Sequence, residues 1–167
     1  MILAFDTYYY EDKAKTVGIA FNHWQDEVET TIYEETLSDI APYVSGEFYK
    51  RELPCIMSLL NKIDLTNCQA IIIDGFVVLD DTDKLGLGGY LYEKLHKEIP
   101  IIGVAKNNFA NLNNLKRAIL RGESKKPLYI NAKGVDLDIA ATNITSMFGK
   151  YRIPDLLKKV DSLGRMV

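Results

Sequence analysis

The sequence predicts an α/β fold on a mixed sheet: a three-strand antiparallel meander leads into parallel strands, with helices packed on both sides. Three observations carry this reading. From Ile2 to Glu35 the chain is rich in β-branched and aromatic residues, broken only by short polar turns. Further on, Ala70–Ile73 and Ile99–Ala105 are continuous apolar runs, the pattern of strands buried on both faces. Between and after these runs, apolar residues recur at helical spacing. With 167 residues, 47% of them hydrophobic, the chain is expected to form one domain over residues 1–167 and to bury a core without disulfide or metal staples. That content excludes a disordered chain, and the apolar runs are too short for a spanning helix.

Ile2–Tyr10 and Lys15–Phe21 read as the first two strands, joined by the polar turn Glu11-Asp12-Lys13. Glu27–Glu35 alternates Val28, Thr30 and Ile32 with polar neighbours and reads as the third strand, after a turn near Asn22–Asp26. Phe48, Leu53, Ile56, Met57, Leu59, Leu60 and Ile63 then predict a helix over Gly46–Lys62, with Pro54 either kinking it or limiting its N-terminal part. After the apolar run that ends at Asp74, Gly86–Lys97 reads as a helix and Ile99–Ala105 as a second buried strand. Asn111–Arg121 reads as a short helix or a mobile arm, and Pro127–Asn131 as a short strand. Asp136–Phe148 and Pro154–Leu163 close the chain as helices, the last ending at Gly164.

Met1 leads directly into the first strand with no basic region or cleavage site, and Cys55 and Cys68 lack metal-ligand spacing. A cytoplasmic location with reduced thiols is therefore expected, with no membrane partner and a monomer favoured. The net charge of −3 conceals an asymmetry. Residues 1–83 hold five basic and sixteen acidic residues, whereas residues 84–167 hold fifteen basic and seven acidic. Such polarity fits a polyanionic partner on one side and a cation on the other; on charge alone, a solvated surface fits equally well.

Three acids stand where chemistry is expected. Asp6 interrupts the first strand, where Asp is disfavoured. Asp74 ends the Ile71–Ile73 run, at the kind of strand terminus where α/β folds bind ligands, and Gly75 after it permits close approach. Glu52 lies on the first helix. Taken singly they read as a turn or edge acid, a strand-end cap and an exposed helix acid. Taken together, converging carboxylates repel one another unless a divalent cation neutralises them, and an all-oxygen set favours Mg²⁺ or Mn²⁺ over zinc.

Five stretches resemble the endonuclease V family of the ribonuclease H-like superfamily. They are Phe5-Asp6-Thr7-Tyr8, Pro42-Tyr43-Val44-Ser45-Gly46 running on to Arg51-Glu52, Ile72-Ile73-Asp74-Gly75, Pro100-Ile101-Ile102-Gly103-Val104-Ala105-Lys106, and Tyr151-Arg152-Ile153-Pro154 with Asp161 and Arg165. The resemblance implies a ribonuclease H-like sheet and hydrolysis of a phosphodiester 3′ to a deaminated purine, hypoxanthine, in DNA or RNA, as in nucleic-acid repair. It also implies that Asp6, Glu52 and Asp74 bind a catalytic Mg²⁺, with Mn²⁺ as a substitute. Tyr43 matches the aromatic of a strand-separating wedge whose turn includes Gly46, and Lys106 matches a lysine near the scissile phosphate.

Two family segments differ here. The family's His-Pro-Arg after the Asp-Gly gives way to a stretch that includes Asp80 and Asp81, and its Ser-Pro-Gly-His to Asn131-Ala132-Lys133-Gly134-Val135-Asp136. His23 and His96 fit neither place and are expected to be solvated. In one reading Asp80 or Asp81, and Lys133 or Asp136, take over from the missing histidines. In the other, the chain is a relative that binds nucleic acid with weak or no catalysis. Asp136 reads first as an N-cap and second as a fourth metal-binding acid. Phe109, stacking on a base, and Lys125 and Lys126, tracking phosphates, are expected to bind nucleic acid in either case, as is Lys133.

Overall fold

The computed structural model describes residues 1–45 and 47–167. Seven strands among these residues form one sheet: β1 (Ile2–Tyr10), β2 (Lys13–Phe21), β3 (Thr31–Ser38), β4 (Ala70–Asp74), β5 (Ile101–Ala105), β6 (Arg117–Ile119) and β7 (Leu128–Lys133). Their order across the sheet is β3-β2-β1-β4-β5-β7-β6. The first three form the antiparallel meander, β1, β4 and β5 run parallel, and β7 and β6 return antiparallel.

Helices α1 (Phe48–Leu60) and α2 (Leu87–Lys94) cover one face, and α3 (Leu137–Ser146) and α4 (Asp155–Gly164) the other. The central strand β4 shows why its sequence is apolar without alternation. Ile71 and Ile73 belong to the core formed with Leu53, Ile56 and Leu59 of α1, while Ile72 belongs to the core formed with Ile144 of α3 and Val160 of α4. No helix among the described residues is long and apolar enough to cross a membrane.

Two elements differ from the sequence reading. The third strand starts at Thr31 rather than Glu27, because the Asp26 carboxylate accepts from the backbone N–H groups of Asn22 and His23 and holds a longer turn. Its inward positions are Tyr33, Glu35 and Leu37, whereas Val28 and Ile32 are exposed, the opposite parity to that predicted. Asn111–Arg121 forms no helix. Its end is the short edge strand β6, and its start is held by Asp81, whose Oδ1 accepts from the N–H groups of Asn113, Asn114 and Leu115.

The segment leaving β4 is fixed by a buried polar stitch. The Val77 N–H donates to Oδ1 of the fully buried Asn131 of β7 at 2.8 Å. Gly103 of β5 lies against both: a Cβ there would sit 2.5 Å from the Gly75 carbonyl oxygen and 2.7 Å from Asn131 Oδ1. Gly103→Ala is therefore expected to cost about 2 kcal/mol and to lower Tm by roughly 5 °C. Thermal melting checks this, and an unaltered Tm would contradict such close backbone packing.

Candidate metal and nucleic-acid site

The sheet opens where β4 ends. Phe5 pairs with Ile73 as the last register contact between β1 and β4, so Asp6 is the first β1 residue without a β4 partner beside it. Asp74 stands at the end of β4 itself, at the mouth of the opening. Asp6 Oδ1 accepts from the Thr7 N–H at 2.9 Å, which fixes one side of its carboxyl group. Glu52 reaches the same opening from α1, and Asp161 from α4 on the opposite face of the sheet.

The acids influence one another strongly. Burial, then the charge of Asp74, pushes the Asp6 pKa from 3.8 up to about 7. Burial, then Asp6 and Asp74, pushes Glu52 from 4.5 up to about 8. Desolvation also raises Asp74, although Lys106 opposes the rise. Asp161 goes the other way. Burial works against its carboxylate, but Arg165, whose Nε donates to Asp161 Oδ1 at 3.1 Å, together with Lys106 and a hydrogen bond shared with Asp6, holds it below the usual range. Within this pair the surroundings favour the proton on Asp6 and the charge on Asp161.

Two clefts meet at these acids. A small one, about 40 Å³, is lined by Asp6, Asp74, Lys106 and Asp161. A larger one, about 430 Å³, runs from Glu52 and Asp74 past Gly75 to Phe76, Asn107 and Phe109. Gly75 has φ of +106°, which favours glycine, and lies where an added Cβ would meet nothing. Its open backbone forms part of the wall. The Phe76 and Phe109 ring centroids lie 5.7 Å apart, giving that cleft an aromatic side.

Among the described residues, no three His, Cys, Asp or Glu groups are gathered into a preformed metal cage. The donor chemistry nonetheless fits a hard divalent cation. Mg²⁺ is commonly held by one or two carboxylates, with water and substrate phosphate completing its shell. Asp6 and Asp74 would suit such a pair, and Glu52 and Asp161 lie near enough for their charges to act on it.

The predicted residues divide in two. Asp6, Glu52, Asp74, Gly75, Lys106 and Phe109 line the two clefts. Tyr43 is exposed on the loop before α1, and Gly46 lies outside the described residues. Lys125 and Lys126 are exposed next to the Lys106 end of β5, since β7 begins just after them and Tyr129 pairs with Ala105.

Lys133 and Asp136 lie elsewhere. β7 runs antiparallel to β5 and Lys133 pairs with Ile101, so both residues fall at the end of the sheet away from Asp74. Lys133 Nζ donates to Asp83 Oδ2 at 2.7 Å, and Asp136 caps α3 by accepting from the Ile139 N–H at 3.1 Å. Asp80 accepts from the N–H groups of Thr82 and Lys84, Asp81 is used by the loop described above, and neither lines the two clefts. The fourth acid at the opening is instead Asp161, which the sequence reading placed in a family stretch without a role. Its signal is a carboxylate on the apolar stripe of an amphipathic helix, among Leu157, Val160 and Gly164.

A family model described as Endonuclease V matches residues 1–162. An endonuclease V of Streptomyces avermitilis is 30% identical over 145 residues, which span 74% of this chain and 61% of that protein. The chain thus spans about three-fifths of the length of the curated relatives it matches. Among solved structures, Ciona intestinalis endonuclease V in complex with a DNA containing an inosine superposes with a TM-score of 0.82 at 18% identity, covering 98% of this chain and 84% of that one. Human endonuclease V superposes with a TM-score of 0.74 at 22% identity, covering 98% and 82%. The sheet and its flanking helices are therefore the ribonuclease H-like arrangement of those structures.

The raised acids set a pH dependence. Asp6 and Glu52 bind protons more tightly in the folded chain than in the unfolded one, so their contribution to stability is greatest below their unfolded pKa values and is lost as pH rises toward about 7 and about 8. Without divalent ions, Tm is expected to fall between about pH 5 and about pH 8, and Asp6→Asn combined with Glu52→Gln should flatten the profile. Differential scanning calorimetry reads both. A profile equally steep in the double variant would contradict the assignment.

Proposed function

Because the chain belongs to the endonuclease V family, we propose that it is a divalent-cation-dependent endonuclease that hydrolyses the phosphodiester 3′ to a deaminated purine, hypoxanthine, in DNA or RNA. The observation that carries this reading is the convergence of Asp6, Glu52, Asp74 and Asp161 on one opening, faced by Lys106 and continuous with an aromatic-sided cleft. The inosine-containing DNA bound by the Ciona relative fits the same reading.

Asp6 and Asp74 would hold the ion, with Glu52 and Asp161 able to take up the remaining positions or to orient its water. When bound, Mg²⁺ or Mn²⁺ supplies Lewis acidity at the phosphate and a more acidic water. Lys106 adds a fixed positive charge where negative charge grows on the phosphoryl oxygens. Asp161 has its own counter-ion in Arg165 and remains ionised beside Asp6. The cleft beyond Asp74 receives the base out of the stack: Phe76 and Phe109 offer it an apolar wall, and the exposed amides of Asn107 and Asn108 offer hydrogen bonds to its edge. Tyr43, exposed on the loop before α1, serves as the wedge. No histidine takes part, since His23 and His96 are both exposed and line neither cleft.

Cleavage of labelled strands with and without one inosine, in Mg²⁺ or Mn²⁺, tests the proposal. The wild type is expected to cut only the inosine strand, Asp74→Ala to lose at least about a hundredfold, and Lys106→Met to lose roughly ten- to a thousandfold in kcat. Binding without cutting in either ion would leave a nucleic-acid-binding relative in place of the enzyme.

A further inference from the structure

The segment Gly149–Arg152 is held by two arginines. Arg121, only 5% exposed, donates from its guanidinium to the carbonyls of Met147 at 2.5 Å, Gly149 at 3.1 Å and Tyr151 at 2.5 Å. Arg152 donates to the carbonyls of Lys126 at 3.0 Å, Pro127 at 2.8 Å and Lys106. Gly122, at φ +59°, brings the preceding loop against the segment, since a Cβ there would lie 2.1 Å from the Lys150 carbonyl oxygen. The backbone around Tyr151 is therefore fixed, and the neighbouring Arg152 is bonded to the main chain of the cleft lysine.

The side chain on this fixed backbone is open. Tyr151 is 65% exposed and lines a shallow cleft of about 530 Å³ between the loop at Gly122–Ser124 and Lys150–Arg152. Lys150 Nζ lies 5.5 Å from the ring centroid. Lys125 and Lys126 are exposed on the adjoining loop, where Glu123 is the acid beside them. An exposed aromatic face on a held backbone, flanked by ammonium groups, suits a strand that presents both a base to stack and phosphates to pair.

We propose that Tyr151, with Lys125, Lys126 and Lys150, forms a second nucleic-acid subsite that holds the unpaired continuation of the strand entering the Lys106 cleft. A base stacks on the Tyr151 ring, and the neighbouring phosphates lie against the lysines. Arg152 couples this subsite to the carboxylate opening through the Lys106 carbonyl. The inference rests on the function proposed above for the placement of that strand, but it makes a separate demand: affinity must depend on strand length through Tyr151.

Fluorescence anisotropy with labelled oligodeoxythymidines of roughly 6 to 20 nucleotides, in the absence of divalent ions, reads this directly. In the wild type, affinity is expected to rise with length. Tyr151→Ala should cut the affinity for the longest strand by about tenfold, and Tyr151→Phe, which keeps the ring, should restore it. Replacing Lys125 and Lys126 together by Gln should flatten the dependence on salt. Equal affinity of wild type and Tyr151→Ala at every length would overturn the subsite, as would a loss that Phe does not restore. Failure of the function proposal looks different: no inosine-dependent cutting, with the Tyr151-dependent binding intact.

Discussion

Four carboxylates, drawn from β1, α1, β4 and α4, repel one another where the parallel pairing of β1 and β4 ends, and burial removes much of the water that would otherwise screen Asp6 and Glu52. Without a bound cation, burial and this repulsion favour the protonated forms of Asp6 and Glu52. Lys106 and Arg165 neutralise part of the charge from one side, and they act chiefly on Asp74 and Asp161. Asp6 and Glu52 carry the remaining imbalance. A fold that keeps such a cluster sacrifices local stability at one spot, as sites built for charged ligands commonly do.

The rest of the molecule supplies stiffness around that spot. Each of the strands bearing Asp6 and Asp74 is buried on both faces before it reaches its acid, so neither carboxylate can retreat by backbone movement. The Asn131–Val77 hydrogen bond and the close approach at Gly103 fix the segment that forms the cleft wall beyond Asp74. Lys15 Nζ donates to the carbonyls of Leu163 at 3.0 Å and Met166 at 2.8 Å, tying the end of α4, and hence Asp161, to β2. The acids thus sit on secondary-structure elements whose positions are set by packing.

Much of this is legible in the amino-acid sequence because burial leaves plain periodicities. The Ile71–Ile73 run, the aromatic and β-branched opening, and the helical stripe around Ile56 each report their own environment. Asp6 and Asp74 stand out because acids are rare within or directly after such runs. β3 departs in phase because an edge strand has one wet face and weak alternation, and a side chain fixing a turn shifts its start. The edge strand β6, three residues long, leaves no pattern at all. Asp161 lies in a family stretch, but its place at the opening depends on how α4 crosses the sheet, which is a tertiary fact. Asp136 shows the converse, since its favourable position at a helix start is fully used by the cap.

The most direct measurement of the central claim is isothermal titration calorimetry of Mn²⁺ into the protein at about pH 7.5, within the range where Asp6 and Glu52 exchange protons. If Asp6 and Asp74 form a hard-cation site, the wild type binds with measurable heat and releases protons to the buffer, because carboxyls held protonated by their neighbours must ionise to ligate. Asp6→Asn should lose that heat. Binding with the same heat in Asp6→Asn, or no heat in the wild type, would contradict the account.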